Sequence, residues 1–108
     1  MNVIDEVLRA LNAHDLDAFL ACYAPDATIE DGHDNVIARG HEELRARYGP
    51  MFAEHPDRWI EGFEPIEVGE FIVQEEVVSD QGGPENLRRH VAIYLVRDGV
   101  IARERLVS

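Results

Sequence analysis

The spacing of apolar residues changes once along this chain, and the change restricts the folds that it can adopt. Before Arg58 most apolar residues recur every three or four positions, which is the period of a helix. From Arg58 onward they alternate with polar residues over long runs, which is the period of a strand. Helices followed by a series of strands predict an α+β fold. We expect a curved antiparallel sheet with the N-terminal helices packed on its concave face.

Local signals place the elements of the first half. Three helices are predicted, and Asp15 is expected to cap the second, which Pro25 should end. Ala27 to Asp31 then alternates as a strand and enters a turn at residues 32–35. The Gly49-Pro50 pair predicts that the third helix is kinked or broken.

Four long strands are predicted in the second half. Their expected ranges are Trp59–Val68, Phe71–Ser79, Arg88–Arg97 and Val100–Val107. The last two flank Asp98-Gly99, which is a strong hairpin signal.

A two-residue turn at this hairpin would pair Ile93 with Glu104. One face of the hairpin would then be apolar apart from Glu104, and the opposite face would carry His90, Tyr94, Ile101, Arg103 and Arg105. A carboxylate on an apolar face is costly, so we expect Glu104 to be paired with an arginine or to have a raised pKa at a cavity. Glu75 is in phase with apolar neighbours and is a second inward candidate, although Glu76 would replace it after a one-residue shift of register.

Charge and cysteine content exclude several functions. The net charge is −12 and the chain has no lysine, which excludes a lysine Schiff base and disfavours nucleic acid or an anionic membrane as a partner. Cys22 is the only cysteine, so an intramolecular disulfide is impossible. The N-terminal residues are acidic and lack the apolar run of a signal peptide. We therefore expect a cytoplasmic protein.

Three stretches of the chain carry a family resemblance. LNAHDLDAFLACYAPDATIEDG, RGHEELRARY and RDGVIARERLV resemble the SnoaL-like proteins of the nuclear-transport-factor-2-like superfamily. The resemblance implies one domain over residues 1–108, shaped as a conical half-barrel with a pocket at its open end. Members include ketosteroid isomerases, polyketide cyclases, epoxide hydrolases, dehydratases and binding modules, so the fold alone does not fix the activity.

The first half of the chain is most similar to the ketosteroid isomerases, and that similarity implies roles for two residues. Asp31 would be the general base and Tyr48 a supporting tyrosine. The positions of the two oxyanion donors are occupied by Val7 and, approximately, Ile93. We therefore do not expect the classical steroid isomerase mechanism, because its dienolate would lack stabilisation.

The candidate site combines these residues. We expect Asp31 and Glu104 to be catalytic, although Asp31 could instead bond the amides of its own turn. The expected substrate-binding residues are Tyr48, Phe52, Trp59, Glu75 and Ile93, and for the three aromatic ones simple core packing is the alternative. The aromatic residues should border a cavity of a few hundred cubic ångströms, on the scale of small-molecule sites.

The sequence favours an enzyme that needs neither metal nor cofactor. It would perform acid–base chemistry of the isomerase, cyclase or dehydratase type on a small apolar or polyketide-like ligand. Two alternatives remain: a module that binds a hydrophobic ligand without chemistry, and a dimeric scaffold with a closed core. We also expect a homodimer through the outer face of the sheet, with Tyr94 and His90 in the interface.

Overall fold

The computed structural model describes residues 2–85 and 87–108 as three helices and seven strands. Their bounds are α1 Val3–Ala13, α2 Leu16–Ala21, β1 Tyr23–Asp31, β2 Val36–Arg39, α3 Gly40–Glu54, β3 Trp59–Gly62, β4 Ile66–Val68, β5 Phe71–Ser79, β6 Arg88–Arg97 and β7 Val100–Val107. The α+β class is confirmed. No helix in this described part of the chain is long and apolar enough to cross a lipid bilayer.

The strands form one curved, open sheet in the order β2-β1-β7-β6-β5-β3, with β4 also paired to β5. All pairs are antiparallel except β1 with β7, which is parallel. The core lies between the helices and one face of this sheet, here called the inner face. Apolar residues of α1, α2 and α3 meet Ile29, Ala92 and Ile101 there. The opposite side of the sheet is called the outer face.

The start of α2 matches the sequence-based prediction, but its end does not. Asp15 caps the helix, and its Oδ1 accepts a hydrogen bond from the amide of Ala18 at 3.1 Å. The helix ends before Pro25, because Tyr23 already belongs to β1 and pairs with Ile101 of β7. Pro25 lies where the β1–β7 register is irregular, so its missing N–H interrupts no regular ladder.

Two other predictions, one of a broken helix and one of a continuous strand, also differ from the structure. The third helix was predicted to be kinked or broken at Gly49-Pro50; it is continuous with Pro50 inside it, so the break into two pieces is wrong, and the kink stays a prediction. Tyr48 and Phe52, on either side of Pro50, both pack against Phe19 and hold the helix onto the core. The predicted long strand Trp59–Val68 is instead two short strands, β3 and β4, which pair with different parts of β5.

The register of the last hairpin differs from the predicted one by one residue. Arg97 pairs with Val100 as expected, but a β-bulge follows and Ala102 has no partner. Beyond the bulge Tyr94 is opposite Glu104, and Ile93 is opposite Arg105. The predicted pairing of Ile93 with Glu104 is therefore wrong.

The bulge reverses the predicted faces of β6 relative to β7. Tyr94 and Glu104, which are 2% and 5% exposed, lie together on the inner face, and Ile101 is also buried there. Val91 and Ile93 lie on the outer face. The prediction that Tyr94 and Ile101 form an outer surface is wrong, because one extra residue exchanges the two sides of a strand.

Candidate active site

A cavity of about 50 Å³ lies between the helices and the inner face, and it is called the inner cavity. Its polar lining comes from β1, α3, β5, β6, β7 and the segment before β3. These residues are Tyr23, Tyr48, Arg58, Glu76, His90, Tyr94 and Glu104. A space of this size holds a few water molecules, because one water needs roughly 10–15 Å³ of such volume.

Glu104 and Tyr23 form one buried pair in the inner cavity. The Tyr23 hydroxyl is 2.6 Å from Oε1 of Glu104. Burial raises the pKa of Glu104 to about 8, the hydrogen bond from Tyr23 opposes this shift, and the charge of Glu76 adds to it. The predicted rise in the pKa of Glu104 is confirmed, so this carboxyl group is largely neutral at pH 7.

Glu76 forms the second polar group, together with His90 and Tyr94. The Tyr94 hydroxyl donates to Oε2 of Glu76 at 2.5 Å, and Nε2 of His90 is 2.7 Å from Oε1. Glu76 is directly opposite His90 in the β5–β6 ladder, which explains their contact. Burial, followed by the charges of Glu104 and Glu76, raises the pKa of Tyr94 well above its usual value.

The inward carboxylate of β5 is thus Glu76, the alternative that the sequence left open. Ile72, Gln74, Glu76 and Val78 occupy the buried inner positions of the strand. Glu75 points the other way, and its half-exposed carboxylate is 3.4 Å from Arg89. Glu75 therefore does not line the inner cavity.

Tyr48 and Arg58 complete the polar wall. Burial raises the pKa of Tyr48, and the nearby Glu104 adds to the rise. The Arg58 side chain is 11% exposed, and its Nε donates to Oδ1 of Asp80 at 3.2 Å. Arg88 donates to both oxygens of the same Asp80 carboxylate, at 2.9 and 3.0 Å.

An open depression of about 480 Å³ adjoins the inner cavity, and it is called the vestibule. Asp31, Ile37 and Arg88 are among its lining residues. His90 and Leu106 line both spaces, so they form the boundary between them. Two depressions of about 500 and 550 Å³ lie beside the first residues of α1 and Gly99, but neither is lined by the buried glutamates or tyrosines.

Asp31 lies in the vestibule but is occupied by its own turn. Its Oδ1 accepts hydrogen bonds from the amides of His33 and Asn35 at 2.7 and 3.0 Å, and Oδ2 accepts one from Nδ2 of Asn35 at 2.9 Å. These bonds, led by the Asn35 side chain, lower the pKa of Asp31. This geometry is the turn role that the sequence left as the alternative, and a catalytic role for Asp31 stays a prediction.

The other predicted substrate-binding residues are dispersed. Phe52 packs against Phe19 in the core. Trp59 is half-buried, and its Nε1 donates to the carbonyl oxygen of Gly82. The next residue of β3, Ile60, is the one that points inward. Ile93 borders a shallow outer depression. Of the predicted aromatic trio only Tyr48 lines the inner cavity, and the predicted size of a few hundred cubic ångströms is wrong for that space.

Several residues of the site were not found from the sequence. The predicted end of α2 at Pro25 would place Tyr23 in that helix, whereas Tyr23 begins β1. His90 and Tyr94 were assigned to the outer face. Alternation along β6 does place His90, Ala92 and Tyr94 on one face of that strand. It does not say that this face is the one that Glu104 of β7 shares, because that match depends on the bulge. Arg58 gave no pattern, because its role depends on Asp80.

The described residues, 2–85 and 87–108, contain no group of three or more histidine, cysteine, aspartate or glutamate side chains arranged to hold a metal ion. The contacts of Glu76 and Glu104 are instead with tyrosine and histidine. Whether the protein works without a metal or cofactor stays a prediction.

A curved open sheet with helices on its concave side, enclosing polar residues, defines the nuclear-transport-factor-2-like class of α+β proteins. Within that class, the family model for the SnoaL-like domain matches residues 4–104. The chain therefore belongs to the SnoaL-like family, as the sequence motifs predicted. This family comprises small-molecule enzymes and binders.

Solved structures show the same fold at low sequence identity. An uncharacterized cystatin fold protein from Novosphingobium aromaticivorans has a TM-score of 0.88 and 21% identity, over 100% of this chain and 99% of that one. A putative polyketide cyclase from Sinorhizobium meliloti has a TM-score of 0.80 and 21% identity, over 96% and 92%. TerC, co-crystallized with polyporic acid, has a TM-score of 0.77 and 18% identity, over 96% and 86%. No curated protein matches the sequence.

Proposed function

We propose that this protein is an enzyme that performs acid–base chemistry without a cofactor on a small apolar or polyketide-like molecule. The reaction would be an isomerisation, cyclisation or dehydration. The observation that carries the proposal is the difference between the two buried carboxyl groups. Glu104 is held neutral by burial, whereas Glu76 is bonded to an imidazole and a tyrosine. Two carboxyl groups with different partners in one cavity can take different roles, one as an acid and the other as the partner of a base.

In this proposal His90 is the base. It lies at the boundary between the vestibule and the inner cavity, and its Nε2 contacts Glu76. Glu76 would orient the ring and stabilise the imidazolium that forms when His90 takes a proton. Glu104 would donate a proton or a hydrogen bond to the oxygen on which negative charge develops.

The vestibule supplies the volume that the inner cavity lacks. Its 480 Å³ falls within the range of roughly 300–1,000 Å³ that is typical of small-molecule sites. The body of a substrate would occupy the vestibule, with its reacting end at His90. The similar folds of a putative polyketide cyclase and of TerC co-crystallized with polyporic acid support this choice of ligand class.

Asp31 remains a second candidate for the base, but the geometry supports it less. Its carboxylate already accepts three hydrogen bonds, which lower its pKa and its basicity. A binding module without chemistry is the alternative function, with its ligand in the vestibule.

Proton abstraction from 5-nitrobenzisoxazole tests the proposal without knowledge of the natural substrate. A base removes the ring C–H proton, the N–O bond breaks, and a coloured nitrophenolate forms. We expect saturable turnover that falls by roughly 10²-fold or more in His90→Gln, which removes the base, and clearly in Glu76→Gln, which removes its partner. Glu75→Gln is the matched control, because Glu75 points away from the cavity, and it should retain activity.

The same assay separates the alternatives. If Asp31→Asn abolishes turnover and His90→Gln does not, Asp31 is the base. If the protein binds the probe but turns it over no faster than free imidazole does, the binding module is the better account.

A further inference from the structure

We propose that the site selects ligands that carry an anionic oxygen, bound by Arg58 and Tyr48 where the vestibule meets the inner cavity. This inference names the substrate class for the proposed function, and it rests on that proposed function for the identity of the site. It comes from the charge balance and the hydrogen-bond donors around Asp80.

Two guanidinium groups share one carboxylate at this boundary. Arg88 lines the vestibule, Arg58 lines the inner cavity, and both donate to Asp80. Arg58, Arg88 and Asp80 taken together carry one excess positive charge. Glu76 lines the same inner cavity as Arg58, but it is bonded to His90 and Tyr94 and not to these arginines. Such an excess is notable in a chain whose net charge is −12.

The donors of this cluster are not all used. Arg58 donates from Nε to Asp80, and within residues 2–85 and 87–108 its two terminal nitrogens make no other side-chain hydrogen bond. The Tyr48 hydroxyl has Arg47 as a partner, but an arginine can only donate, so the hydrogen of the Tyr48 hydroxyl stays available. Among those residues, the only fully enclosed side-chain nitrogen or oxygen without a partner is Oε1 of Gln74. Arg58 and Tyr48 both line the inner cavity, and we infer that their remaining donors face it.

The neighbouring carboxyl groups leave room for an anion. Glu76 is bonded to His90 and Tyr94, and Asp31 is bonded within its own turn. Glu104 is bonded to Tyr23 and lies in an environment that disfavours its charge. A planar guanidinium with two free nitrogens suits a carboxylate or an ionised enol, and a tyrosine hydroxyl adds a third donor.

Binding of two matched probes tests this inference. 2-Naphthoate and 2-naphthamide have the same ring and nearly the same shape, but only the first is an anion at pH 7. We expect the wild-type protein to bind naphthoate at least about tenfold more tightly, measured by calorimetry and by NMR shifts around the vestibule. Arg58→Gln should abolish this preference and Arg58→Lys should restore part of it. Tyr48→Phe should reduce the preference and serves as the probe if Arg58→Gln does not fold.

Arg97→Gln is the control for loss of a positive charge, because Arg97 pairs with Glu70 on the exposed end of the hairpin and should not affect the preference. Equal affinity for the two probes, or a preference that survives Arg58→Gln, would overturn the inference. If turnover needs His90 but no anion preference exists, only this inference fails; if the preference exists without turnover, the proposed enzyme fails and an anion-binding module remains.

Discussion

Glu104 shows how one buried ionisable residue ties the fold to the proposed chemistry. Its position on β7 places it opposite Tyr94 and beside Tyr23, away from any arginine hydrogen bond. Burial in these surroundings favours the neutral carboxyl group. The same residue therefore reduces the stability of the folded protein at higher pH, and in the proposed reaction it would be a proton donor near neutral pH.

The pH dependence of stability follows from the raised pKa of Glu104. Below the usual carboxyl pKa of 4.5 the group is neutral in both states. Between pH 4.5 and about 8 the unfolded chain ionises while the folded protein keeps its proton, so stability falls until the pH passes the folded-state pKa. Glu104→Gln has no carboxyl group to ionise at this position, so we expect it to remove this loss. Its free energy of unfolding should exceed that of the wild type by an amount that grows by ~1.4 kcal/mol for each pH unit across that window.

Urea denaturation at pH 5, 6, 7 and 8 measures this effect. Glutamine keeps an oxygen that can accept the Tyr23 hydroxyl bond, so the substitution tests charge more than packing. Glu75→Gln is the control and should not change the slope, because that side chain is half-exposed. A constant difference between Glu104→Gln and wild type over the four pH values would contradict the assignment.

At the scale of elements, the helical layer is fixed to the edge of the sheet by one side chain. Asn12 of α1 donates from Nδ2 to the carbonyl oxygen of Ile60 at 2.9 Å and accepts from the Ile60 amide at 2.8 Å. It thus replaces the missing neighbour of β3, which is the last strand in the sheet order. Such pairing covers part of an otherwise open edge.

Asn12→Ala should therefore destabilise the protein by about 1–3 kcal/mol, because it leaves two partly buried main-chain groups of Ile60 without partners. Hydrogen exchange of the Ile60 amide should accelerate, and denaturation should report the energy. Asn12→Asp keeps the acceptor for the amide but puts a charged oxygen against the Ile60 carbonyl, so at neutral pH it should protect that amide better than alanine does and less well than asparagine does. Unchanged exchange at Ile60 in Asn12→Ala would show that this contact is not important for the edge.

At the scale of the whole molecule, the outer face of the sheet has the features of a self-association surface. Phe71 is 48% exposed and Val91 is 37% exposed on this face, close to the half-buried Ile93. Ion pairs surround the apolar residues, including Arg103 with Glu30 and Arg89 with Glu75. We propose that a second copy of the chain covers this face in a two-fold dimer, with Phe71 at the interface in place of the buried Tyr94.

Phe71→Glu should weaken the dimer by roughly tenfold or more, because a buried aromatic anchor is replaced by a charge. Sedimentation at micromolar concentration measures the association. Val36→Glu is the control, since Val36 is equally exposed but lies on β2 at the far edge of the sheet. A wild-type monomer at that concentration would contradict the proposal.

The sequence by itself determined the features that depend on neighbouring residues. The Asp15 cap, the turn at residues 32–35 and the Asp98-Gly99 turn each follow from local backbone chemistry, and each lies where it was predicted. The change of period gave the α+β class, and the motifs gave the family. The inward position of Glu104 was also accessible, because an isolated acid among apolar residues requires a special environment.

Only the tertiary structure decided which residues surround Glu104. Ala102 has no partner because of a bulge that no local signal announced, and this extra residue brought Tyr94 rather than Ile93 next to Glu104. The inward side of β5 was set by packing against the helices, which selected Glu76 over Glu75. Alternation in a strand defines two faces but does not say which is buried, since that choice depends on elements far away in sequence.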